Sequence, residues 1–138
     1  MATTIRPQLS KSNPSYISKH RYYELKHFCL QYQEWQREYR RLEQEGIPHA
    51  SFDIFSYGEP SDPTARLAML KSVYSDKIDM VEYCADAVDQ DIGPYIRAAV
   101  CEGFTYDKLN ARLCVPCGRK EFYELYRRFF YILDKERR

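Results

Sequence analysis

GFTYDKLNARLCVPCGRKEFYELYRRFFYILDKERR, residues 103–138, is the stretch on which the reading of this chain turns. A glycine and a threonine precede a short helical pattern. Gly103 supplies the left-handed backbone that closes the preceding helix. Thr105 supplies a side-chain oxygen for an orphan N–H of the next one. Tyr106, Leu109 and Leu113 recur at spacings of three and four and are expected to share one buried face. Cys114-Val115-Pro116-Cys117 interrupts that pattern, because Pro116 lacks an N–H and biases Val115 away from helical angles. Val115 is expected to plug the space between the two helices. The second helix is expected from Gly118 or Arg119, burying Phe122, Leu125, Phe129, Ile132 and Leu133. Helix, short turn and basic helix in this order predict a helix-turn-helix, in which the first helix braces a second that can enter a DNA groove. The residues predicted to face DNA are Arg119, Lys120, Tyr123, Glu124, Arg127 and Arg128. Those at the start of such a helix reach base edges, and long cations further along reach phosphates. The competing interpretation of the same periodicity is an ordinary amphipathic hairpin with a solvated basic face.

Charge supports the polar organisation. The net charge is +1, but residues 1–49 hold eight Lys/Arg against five Asp/Glu, residues 50–102 four against ten, and residues 103–138 nine against five. A basic end is thus hidden by an acidic middle, as expected of an electrostatic footprint for nucleic acid. At 138 residues the chain is expected to form one domain with a real core. The first residues lack the apolar stretch of a signal peptide, and no apolar run approaches the ~20 residues of a membrane span, so a soluble, cytoplasmic protein is expected.

Upstream, residues 1–17 carry Pro7, Pro14 and several Ser and Thr, and read as a flexible arm. Ser18 is the expected N-cap of a long aromatic amphipathic segment through Glu45, one helix or two joined near Gln31–Gln33. A connection at 46–61 contains Gly46, Pro48, Gly58 and Pro60, and its Phe52, Ile54, Phe55 and Tyr57 suggest partial packing. Asp62-Pro63 starts a helix to about Val88 whose Leu67, Leu70, Tyr74, Val81, Cys84 and Val88 lie near a heptad seam. Asp79, Glu82, Asp86 and Asp89 mark its other side and read as a solvated acidic face. A shorter helix begins around Gly93-Pro94, with Ile96, Ala99 and Val100 inward. The expectation is an all-α bundle of about five helices, with a platform at 18–102 and a helix-turn-helix at 103–138 packed on it as one domain.

Chemistry-bearing motifs are sparse. Of the five cysteines, Cys29, Cys84 and Cys101 fit apolar helical positions, while Cys114 and Cys117 form a C-x-x-C with no second ligand pair to complete a zinc site. No glycine-rich nucleotide loop, G-x-S-x-G or Cys–His arrangement emerges, so no enzyme activity, metal or cofactor is expected.

The stretches ISKHRYYELKHFCLQYQEW (17–35), SDPTARLAMLKSVYSDKIDMVE (61–82) and AAVCEGFTYDKLNARLCVPCGRKEFYELYRRFFYILDK (98–135) resemble a set of small proteins from phages and prophages of Gram-positive gut bacteria. Residues 103–138 are similar to the sigma-factor region 4-like helix-turn-helix of phage late-gene regulators of the ArpU and RinA type. The turn at Cys114–Cys117 is about two residues longer than is usual there. The resemblance implies a transcription regulator in the host cytoplasm, binding double-stranded DNA with host RNA polymerase as a second partner. The alternatives are a packaging adaptor like a terminase small subunit, and a protein-binding module that inhibits a host system.

Overall fold

The structure, a computed structural model, describes residues 13–46 and 62–138. Residues 1–12 of the arm predicted at 1–17, and residues 47–61 of the connection predicted at 46–61, lie outside the described residues. Every regular element described is a helix: α1 (Lys19–Cys29), α2 (Tyr32–Glu45), α3 (Pro63–Val88), α4 (Gly93–Glu102), α5 (Tyr106–Leu113) and α6 (Arg119–Glu136). The all-α expectation holds, with the long aromatic segment resolved into two helices. The break falls at Leu30–Gln31. There the Gln31 N–H bonds the Phe28 carbonyl in a tight i to i+3 turn, and the Gln31 amide donates to the His27 carbonyl.

Local start and stop signals act as their chemistry dictates. Ser18 accepts from the Arg21 N–H, Asp62 from Thr64, and Thr105 from Lys108. Gly103 takes φ +74° and closes α4. Asp89 is more than part of a solvated face, since its carboxylate accepts from the Asp91 and Ile92 N–H groups at 2.8 and 3.0 Å at the entry to α4. Residues 13–17, which fall within the predicted arm, form a defined turn. Asn13 accepts from Ser15 and Tyr16 in a turn, and Ile17 is buried.

The chain divides into two compact units, and not at residue 102. One combines 13–31 with 80–138; the other combines 32–46 with 62–79. The boundaries of these units lie between α1 and α2 and inside α3. The reason is where the apolar faces meet. In the larger unit α1, α4, α5 and α6 meet one another. Tyr22, Leu25, Ile96, Val100, Leu109, Phe122, Phe129, Phe130 and Leu133 are all buried there. Its center is aromatic: Phe130 sits edge-on to Tyr22 and to Phe129 at centroid distances of 5.0 and 5.1 Å, the geometry favoured by ring quadrupoles. The Tyr22 and Tyr126 hydroxyls satisfy each other at 3.0 Å. Burial pushes the Tyr126 phenol far up, so it stays neutral.

Cys29, Cys84 and Cys101 are buried in this unit, as expected. Burial raises the Cys84 and Cys101 thiols to about 12 and the Cys29 thiol well above its ordinary value, which keeps all three protonated and unreactive. In the smaller unit, Tyr32, Trp35, Leu42 and Leu70 are buried, Lys77 lies over the Trp35 ring at 5.7 Å, and Lys71 bridges the Tyr39 ring and Glu43.

Candidate nucleic-acid interface

The hairpin of α5 and α6 forms where the sequence places it, with Gly118 as N-cap of α6 and Val115 buried in the link between the two helices. Its turn is closed by an unusual residue. Cys114 adopts φ +53° at the C-cap of α5, a left-handed conformation that glycine or asparagine takes at less cost. Its N–H bonds the Asn110 carbonyl at 3.0 Å. Leu113, at the end of the helix, is 56 % exposed instead of joining the buried Leu109 and the half-buried Tyr106.

Two tyrosines clasp the hairpin. The Tyr106 hydroxyl donates to the Cys117 carbonyl at 2.7 Å, fixing the turn against the first turn of α5. The Tyr106 N–H, an orphan donor of that first turn, donates to the Tyr123 hydroxyl at 3.2 Å. The Tyr123 ring meets Tyr106, Phe122 and Tyr126. Tyr123 was predicted to face DNA; the structure instead turns it toward α5, where it holds the hairpin together. Tyr123→Phe keeps the ring and removes the acceptor. It is expected to cost about 1 kcal/mol, the net value of an ordinary hydrogen bond, read as a shift in the urea midpoint. An unchanged midpoint would mean that the clasp is idle.

Arg119 is also drawn toward α5. Its guanidinium pairs with Asp107 on α5 and lies 6.0 Å from the Tyr106 ring centroid. It belongs to the same seam, although it remains exposed. The buried stripe of α6 is also rotated from its predicted position. Phe122, Phe129 and Leu133 are buried as expected, but Tyr126 and Phe130 join them while Leu125 and Ile132 are only half-buried. The outward face is consequently formed by Lys120, Glu124 and Arg128, all exposed, with Arg127 half-buried at its edge. These four of the six predicted contact residues are together on a surface; Arg119 and Tyr123 are drawn to the α5 side.

The Cys117 thiol is raised by burial, with Glu121 and Asp89 adding to the shift, and Cys114 is exposed. Among the described residues, no three His, Cys, Asp or Glu side chains are grouped to hold a metal ion. An open groove of about 390 Å3 lies between α2 and α3 in the smaller unit, lined by Gln36, Tyr39, Arg40, Ser75, Ile78 and Asp79. Among the described residues no helix is long and apolar enough to cross a membrane.

The chain matches no family model, no curated protein and no solved structure.

Proposed function

We propose that this protein binds double-stranded DNA through the α5–α6 hairpin, with α6 as the element that enters the groove, and that it acts in phage or prophage transcription control. One observation carries the reading. Lys120, Arg127 and Arg128 present positive charge on the outward side of a helix whose opposite side is locked into an aromatic core. A rigid helix with outward cations loses little freedom when it meets a phosphate backbone, and the phosphate term supplies most non-specific affinity. Glu124, between the cations, is an acceptor suited to the exocyclic amine of cytosine. Host RNA polymerase is the second partner implied by the regulatory role.

Charge reversal tests this reading. Arg128→Glu is expected to weaken binding to duplexes of any sequence, and to make the dependence of affinity on salt shallower, as for a lost phosphate contact. Its melting temperature should match the parent's, because Arg128 is exposed. Fluorescence anisotropy across a salt series reads both. Absence of binding by the parent at low salt would refute the proposal. A protein-binding module would then be favoured, and the exposed Tyr83 of α3 and Leu113 of α5 would be its first surfaces to probe.

A further inference from the structure

Charge on the hairpin is distributed differently from the way its helices are ordered in sequence. On the outward side of α6, Lys120, Arg127 and Arg128 are interleaved with Glu121 and Glu124, so two carboxylates offset three cations. Arg119 is neutralised by Asp107. On α5 the situation is reversed. Lys108 and Arg112, one helical turn apart, are both exposed, and neither has a carboxylate partner among the described residues. Both are held over one ring. The Lys108 ammonium is 4.7 Å and the Arg112 guanidinium 5.6 Å from the centroid of Phe104, which is half-buried in the link between α4 and α5. Cation–π attraction of this kind restrains long side chains without neutralising them. The acidic neighbour closest in sequence, Asp107, is already committed to Arg119.

We infer that Phe104, Lys108 and Arg112 form a second, preorganised anion site that takes the phosphodiester backbone of the bound duplex. The site rests on the DNA-binding reading and adds to it. It makes α5 a phosphate-binding element in its own right, beyond its bracing of α6. A ring that fixes two cations lowers the entropy cost of ordering them at consecutive phosphates. An acidic protein surface would use the same cations, and the experiment separates the two.

The full chain, the double variant Lys108→Gln/Arg112→Gln, Phe104→Leu and Arg128→Glu are titrated with a fluorescein-labelled 30-base-pair duplex of arbitrary sequence across a salt series, with polyglutamate as competitor. Each phosphate contact adds about 0.9 to the slope of log affinity against log salt. The double variant is expected to lose about 1.8 from that slope, and Phe104→Leu to bind more weakly with both charges still present. Circular dichroism melting should be unchanged for the double variant, since both side chains are exposed. If the parent binds, Arg128→Glu weakens it and the double variant keeps the parental slope, the second site is refuted while the α6 reading stands. If polyglutamate at equal charge displaces the duplex from the parent but not from the double variant, the site is one for acidic protein and the inference fails. If the parent does not bind at all, both proposals fall.

Discussion

Phe129→Ala lowers the stability of the protein by about 3–5 kcal/mol, the range for emptying a buried aromatic site that collapses only in part. Phe129 is fully buried in α6. It presents its ring to Phe130 at 86° and 5.1 Å, so the substitution removes both apolar burial and an oriented ring contact. Its ring partner Phe130 is held by contacts of its own. Tyr22 and Tyr126 share a hydrogen bond, and Phe130 is wedged between their rings, which limits how far the site can close over the void. A loss of this size is a large share of the 5–15 kcal/mol typical of a folded domain. Urea denaturation followed by far-ultraviolet circular dichroism measures it. A midpoint equal to the parent's would show that α6 is not packed through this face, and the hairpin argument would lose its support.

Arg21→Ala is expected to destabilise by about 1–3 kcal/mol, the cost of leaving a buried charged acceptor short of a partner. Asp134 is the one buried charged residue of the described core, at 8 % exposure. The Arg21 Nε donates to its Oδ1 at 2.7 Å, and Arg138 donates to its Oδ2 at 2.9 Å. Burial alone would raise the carboxyl group, but the hydrogen bonds from Arg21 and Arg138 and their charges prevail and hold it below its ordinary value. The unfolded carboxyl titrates near about 3.9, so folding favours the ionised form. This contribution is complete above that pH and disappears as the pH falls through the lower folded value. The stability difference between parent and Asp134→Asn should therefore shrink on acidification from pH 7 to below 4. Equal acid sensitivity in the two proteins would show that the pair contributes nothing to the pH profile.

The parts of this fold that were legible in the sequence are those determined within four or five residues. Ser18, Asp62-Pro63, Gly103 and Thr105 bound helices because a cap needs only a side-chain oxygen, a fixed φ or a left-handed φ at one position. Val115 was legible for a similar reason, being the apolar residue of a turn. The inward side of α6 was not. Leu125 and Ile132 have the stronger apolar character, yet the burial of Tyr126 and Phe130 depends on α1 supplying Tyr22, whose hydroxyl and ring face them across the core. Part of the candidate site's geometry was illegible for the same reason. Spacing along α6 makes Arg119 and Tyr123 look available, and only the position of α5 shows that Asp107 and the Tyr106 N–H claim them. The cationic pair over Phe104 was hidden because a glycine-linked aromatic reads as part of a connection, and its partners stand four and eight residues away.

The meeting of α1 with α6 has a consequence for the order of events during synthesis. Tyr22 and Tyr126 are 104 positions apart, and Arg21 and Asp134 are 113 apart. On a ribosome, α1 emerges with an aromatic face whose partner has not yet been translated. Contacts of such long sequence separation are slow to close, and exposed apolar surface invites association in the interval. Nascent chains halted before residue 119 should leave α1 without its α6 partner, and with it the core of the larger unit, however well the chain between them can form helix. Completion of the C-terminal helix, on this view, is the event that commits the N-terminal one.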